Sequence, residues 1–121
     1  MKLNIDCIRD ILIFIEDNTT ARNMISINSD QLPEKLNNKY DTDTIIYHIL
    51  QCSKSGLIDG FKQFDDYGSI LISDLSPQGH AFLADARNKN IWNKIKKLGC
   101  ESLPTIISIL PEIAKSYFLN Q

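Results

Sequence analysis

Apolar positions follow two rhythms along the 121-residue chain. Near the start, Ile5, Ile8, Leu12 and Ile15 stand three or four apart, with Ile11 widening the stripe. That is the period of a helix with one buried side. Asn4 or Asp6 can cap it, and Asn18-Thr19-Thr20 ends it, so a helix is predicted up to about Asp17. Met24-Ile25-Ser26-Ile27-Asn28 partly alternates, which predicts a short strand. A second short helix is predicted within residues 31–38, where Pro33 is tolerated in the first turn.

The third helix has the clearest ends. Asp41 can cap it, and Tyr40 before the cap can staple onto Ile45. Ile45, Ile46, Ile49, Leu50 and Cys52 predict a broad buried side, and Gly56 closes the helix. Leu57-Ile58-Asp59-Gly60-Phe61 then reads as a strand, Asp65-Asp66-Tyr67-Gly68 as a turn, and Ser69-Ile70-Leu71-Ile72-Ser73 as the returning strand. Ser76-Pro77 opens a fourth helix. At about 100° per residue, its Phe82, Leu83 and Ala86 lie nearly opposite Ile91, Trp92, Ile95 and Leu98. This predicts either a break within residues 87–90 or a second half that packs elsewhere. Gly99 ends that segment. Ser102-Leu103-Pro104 starts a last helix with a stripe of Leu103, Ile106, Leu110, Ile113 and Tyr117, and Pro111 predicts a kink.

A short helix, a tight turn, a longer helix and a directly following β-hairpin are the wiring of a winged helix-turn-helix. The expected fold is therefore α+β and mainly helical. A winged core over residues 1–83 and a helical extension over 84–121 together make one compact domain.

Two resemblances carry this reading further. Tyr47-His48-Ile49-Leu50, Gly56-Leu57-Ile58 and Leu75-Ser76-x-x-Gly79-His80-x-Phe82-Leu83 resemble the helix-wing-helix passage of bacterial winged-helix regulators. The opening Met1-Lys2-Leu3-Asn4-x-Asp6 with Arg9-Asp10-Ile11-Leu12 is similar to a small phage and prophage family catalogued as a domain of unknown function. That family shares the Tyr47-His48 phrase, the Gly79-His80-x-Phe82-Leu83 phrase and the Arg87-to-Trp92 spacing. The likeness covers most of residues 1–98. It implies a winged-helix fold and a mobile-element origin, and brings no catalytic or binding residue with it.

Charge changes the picture more than composition does. Thirteen Lys and Arg against 15 Asp and Glu give a net charge of −2, which excludes a polybasic histone-like binder. Residues 1–74 hold seven basic and twelve acidic groups, a net of −5; residues 75–121 hold six and three, a net of +3. Nineteen Ile, 13 Leu, ten Asn and no Val point to an AT-rich coding sequence, and so to source rather than physics. Asp6, Arg9 and Asp10 interrupt any signal-peptide core. The most apolar window, residues 103–119, contains Pro104, Pro111, Glu112 and Lys115, so no membrane crossing is expected. Cys7, Cys52 and Cys100 are odd in number and form no CxxC pair, which predicts reduced thiols and a cytoplasmic location in a bacterial host.

Candidate chemistry is sparse. In the usual docking of a winged helix, the third helix enters the major groove and the wing touches phosphate. Tyr47, His48, Gln51 and Lys54 are the outward residues that could read or contact DNA there. Asp41 and Asp43 at the helix entry, and Asp59, Asp65 and Asp66 around Lys62 and Gln63 in the wing, oppose it. Arg87, Lys89, Lys94, Lys96 and Lys97 form a basic stretch, readable as a solvated face, a phosphate-contacting patch or a contact for an acidic partner. Tyr40, Tyr47, Phe61, Phe64 and Tyr67 cluster around the third helix and wing, and any left exposed would favour a protein partner. His48 and Cys52 have half-site metal spacing with no second pair, so no metal is expected, and His80 reads as structural. No nucleophile elbow, phosphate loop or carboxylate dyad stands out, so no enzyme, cofactor or small-molecule substrate is expected.

Two functions follow as expectations. The first is a DNA-binding regulator, dimeric through Leu103, Ile106, Leu110, Ile113 and Tyr117. The second is a module that engages or inhibits a host protein, in the defence or transcription machinery, through its acidic helix–wing surface.

Overall fold

The computed structural model describes residues 1–120 and is an α+β fold dominated by helix. Helix α1 (Ile5–Asn18) is capped by Asn4, whose Oδ1 accepts from the backbone N–H groups of Asp6 and Cys7. Its buried side is Cys7, Ile8, Ile11, Leu12 and Ile15. Strand β1 (Ile25–Asn28) alternates, with Ile25 and Ile27 turned inward. Helix α2 (Glu34–Asn37) is one turn long and begins directly after Pro33, whose fixed φ suits a helix start. Helix α3 (Thr42–Lys54) is capped by Asp41, whose carboxylate accepts from Thr44 N–H at 2.8 Å. Hydrogen bonding from the Thr44 side chain, and then from its backbone N–H, holds the Asp41 carboxyl below its ordinary pKa.

The hairpin departs from the expected single strand over residues 57–61. It divides into β2 (Ile58–Asp59) and β3 (Lys62–Phe64), facing β5 (Asp74–Leu75) and β4 (Ser69–Ile72) respectively. Gly60 separates the pieces with φ +67, and a Cβ there would lie 2.0 Å from Ser73 Oγ. The register survives the break: Asp59 faces Asp74 on one side and Lys62 faces Leu71 on the other. Asp65, Asp66 and Tyr67 all take positive φ in the connecting turn. Strand β1 pairs with the returning arm, Ile25 opposite Ile72 and Ile27 opposite Ile70, giving an antiparallel sheet of order β1-β4-β3.

The predicted discontinuity is a break. Helix α4 (Pro77–Ala86) ends, and Asn88 caps α5 (Lys89–Lys97) by accepting from Asn90 and Ile91 N–H. The Phe82 and Trp92 rings meet edge to face with centroids 6.2 Å apart, seating α5 on α4. Helix α6 (Leu103–Leu119) runs unbroken through Pro111. Its Leu103, Ile106, Leu110 and Ala114 join the same buried cluster as α1, α3 and the sheet, and residue 83 lies inside α4. The last helix is therefore part of the one core rather than an appendage to it.

At the other end, α4 is fixed onto the end of α3. Ser76 Oγ donates to Gly56 C=O at 2.6 Å and accepts from Gly79 N–H at 2.9 Å. Gly79 must lack a side chain, since a Cβ there would stand 2.0 Å from the Leu57 carbonyl oxygen.

Candidate functional site

The face of α3 turned away from the core starts from its sequence spacing. Ile45, His48, Ile49 and Cys52 are buried, which places Asp43, Tyr47, Leu50 and Lys54 on the opposite side. Asp43 and Lys54 are exposed, while Tyr47, Leu50 and Gln51 are half-buried. Ile46 and Leu50, expected in the core, are only partly covered, and His48 fills the buried position instead. The helical wheel places Leu50 within about 60° of Asp43, Tyr47 and Lys54, but its apolar character argues for the core. Helix α3 leads directly through Gly56 into the hairpin, where Phe64 is 48% exposed beside Asp65 and Asp66.

His48 cannot read a base, which corrects the expectation from sequence. It is fully buried, and the backbone N–H of Asn4 donates to its Nε2 at 2.8 Å. A donor at Nε2 requires the ring proton to be on Nδ1, which donates to Thr44 C=O at 2.7 Å. Burial pushes the pKa of this imidazole down, with the Thr44 hydrogen bond partly opposing it. The residue is a neutral brace between α3 and the N-cap of α1. Tyr47 packs edge to face on it at 4.9 Å, and Met1, Lys2, Leu3, Cys100 and Glu101 line a recess against Tyr47. Cys52 is also buried and its thiol pKa raised by burial; among the described residues no cluster of His, Cys, Asp or Glu is placed to hold a metal.

The basic stretch is largely committed elsewhere. Arg87 Nη2 meets Glu16 at 2.8 Å and Asp17 at 3.3 Å. Lys96 Nζ lies 3.0 Å from Asp6 Oδ2, and Lys94 Nζ lies 5.3 Å from the Tyr117 ring centroid. Among the described residues, only Lys89 and Lys97 of this group are exposed with neither a carboxylate within 4.0 Å nor an aromatic ring beneath them.

Sequence reasoning also missed a polar cluster beside Arg87. His80 Nδ1 stands 3.1 Å from Glu16 Oε2, and its Nε2 stands 3.5 Å from Asp74 Oδ1, which also accepts from Thr19. Partial burial works to raise the Glu16 pKa, but the hydrogen bonds and charges of His80 and Arg87 outweigh it and hold the carboxyl low. No spacing in the sequence announces this cluster, whose members come from α1, β5 and α4.

The stripe expected to dimerise is also reassigned. Leu103, Ile106 and Leu110 are at most 1% exposed, packed within this chain's own core. Ile113 and Tyr117 stay half-buried at the rim, where Tyr117 OH accepts from Asn90 Nδ2 at 3.0 Å. The last helix thus shares one core with α1, α3, α4, α5 and the two short sheets.

The family described as "Hypothetical protein (DUF2513)" matches residues 2–102. The chain belongs to this family. It is also similar to an uncharacterized protein of Haemophilus influenzae (strain ATCC 51907 / DSM 11121 / KW20 / Rd), 31% identical over 122 residues that span 96% of this chain and 94% of the relative. No solved structure matches. The family match ends just before α6 begins.

In this DUF2513 member, the phrases that carry the resemblance are ties within the fold. Asn4 caps α1 and holds His48. Asp6 accepts from the Trp92 indole, and Arg9 donates to the carbonyls of Ala86 and Arg87 at the end of α4. Asp10 accepts from Tyr40 OH at 2.7 Å; burial and that contact push the Tyr40 pKa up. These residues hold the architecture, while Tyr47 and Leu50 of the third-helix phrase are half-buried on the outward side of α3.

Proposed function

We propose that the chain is a non-enzymatic winged-helix module that recognises a protein through its α3–hairpin face. The order helix, strand, helix, helix, hairpin, with β1 paired to the returning arm, supports the winged-helix reading. The observation that carries the choice of partner is the outward stripe of Asp43, Tyr47, Leu50 and Lys54 on α3. It is apolar at its centre and charged at its ends, the anatomy of a protein interface. Residues 41–68 add five acidic groups to two basic ones, so the face repels a phosphate backbone and suits a basic partner surface. Phage or prophage origin rests on the sequence resemblance, a cytoplasmic location in a bacterial host on the three unpaired cysteines, and a target in defence or transcription machinery on the acidic helix–wing surface.

One observation favours the DNA-binding reading: Lys89 and Lys97 project from α5 without a carboxylate partner among the described residues. Two such cations contribute little against the counterion release that duplex binding needs. A gel shift on mixed duplex DNA at about 50 mM salt separates the two, because weak nonspecific binding shows there. The protein-binding reading expects no shift, and a partner co-purified from host cells that Leu50→Glu releases while the melting temperature is kept. A shift abolished by Lys89→Glu/Lys97→Glu would replace it with the DNA reading.

A further inference from the structure

We infer a second interaction surface, independent of the α3 face: the α5–α6 groove takes an acidic amphipathic segment of another protein. The groove, about 350 Å³, is lined by Lys94, Lys97, Leu98, Ile113 and Ser116. Leu98 is 58% exposed at its rim, an unusual placement for leucine at the end of a helix whose other apolar residues are fully covered. Ile113 forms a half-buried part of the lining. Among the described residues no acidic side chain lines the groove. Lys97 has no carboxylate within 4.0 Å among the described residues, and Lys94 touches only the face of Tyr117.

Charge decides the occupant. Two lysines flanking an apolar recess complement a leucine or phenylalanine with Asp or Glu one helical turn to either side. A second copy docked symmetrically on this face would bring Lys94 and Lys97 against their own counterparts, like charge on like.

The test is selection of binders from a displayed library of random 16-residue peptides against the full chain, followed by anisotropy with the enriched peptides. Expected are sequences with Asp or Glu around Leu or Phe at helical spacing, whose binding perturbs amide resonances of residues 94–98 and 113–116. Lys94→Glu/Lys97→Glu should weaken them at least tenfold, Lys94→Arg/Lys97→Arg should keep them, and Leu50→Glu should change nothing. A Leu98→Ser variant with an unchanged melting curve should also lose binding, which keeps the test valid if the charge reversal disturbs folding. Absence of enrichment, peptides without acidic residues, or indifference to charge reversal would overturn the inference. So would a dimer in light scattering that Leu98→Ser dissolves, or tighter binding to phosphatidylglycerol vesicles than to any peptide.

Discussion

The indole N–H of Trp92 donates to Asp6 Oδ1 across 2.9 Å, and Lys96 closes on the other oxygen at 3.0 Å. The first turn of α1 is thereby held to α5, 86 residues away in sequence. Partial burial works to raise the Asp6 pKa, but the Trp92 and Lys96 hydrogen bonds, with the charges of Lys96 and Arg9, outweigh it and leave it low. A carboxyl whose folded pKa is depressed adds stability above its ordinary value, lost as pH falls through the folded one. Trp92→Phe keeps the ring packing and removes the donor, so it should cost about 1 kcal/mol in urea unfolding at neutral pH. Asp6→Asn should flatten the loss of stability below about pH 4, where Asp6 no longer titrates.

His48 supplies an opposite arm of pH dependence. Its folded pKa lies below the ordinary value, so the folded state holds the neutral ring while the unfolded chain takes a proton near pH 6.5. The stability it contributes is complete above that pH and falls as pH drops toward the folded pKa, by up to about 1.4 kcal/mol per pH unit. Protonation would set a second donor against Asn4 N–H, so amide exchange at Asn4 should quicken over the same range. His48→Ala should cost about 3 kcal/mol, through the cavity and two lost hydrogen bonds.

Two glycines separate space from backbone conformation. Gly79→Ala drives a Cβ into the Leu57 carbonyl and should destabilise by about 3 kcal/mol. Gly99 has φ +65 and nothing within 4 Å of the place a methyl would occupy, so Gly99→Ala should cost about 1 kcal/mol. Comparable thermal shifts for the two would contradict the packing of α4 against the end of α3.

Truncation after Gly99 removes Leu103, Ile106, Leu110 and Ala114 from the core. The shortened chain should lose cooperative unfolding and near-ultraviolet dichroism, which scanning calorimetry and circular dichroism measure. A folded truncated monomer would show that α6 is dispensable after all.

Helix positions are legible in the sequence because their caps are local: Asn4, Asp41, Ser76 and Ser102 each accept from the first turn that follows them. The break before α5 is legible too, as the apolar stripe changes side there. The split at Gly60 is not, since it depends on Ser73 across the hairpin. Charge at the candidate site also misleads when read along the chain. Arg87 and Lys96 look available there, yet α1 brings Glu16, Asp17 and Asp6 to them from some 70 to 90 residues away. His48 reads as outward because its partner, a backbone amide of Asn4, leaves no trace in residue types.

The outward stripe of α3 is the surface on which the functional reading stands or falls. A photo-crosslinking amino acid in place of Tyr47, half-exposed on that stripe, tests whether it meets protein in the cells that make the chain. The crosslinked product should be a discrete higher-mass band that resists nuclease, is removed by protease, and disappears with Leu50→Glu. A nuclease-sensitive product, or one unaffected by Leu50→Glu, would contradict the account.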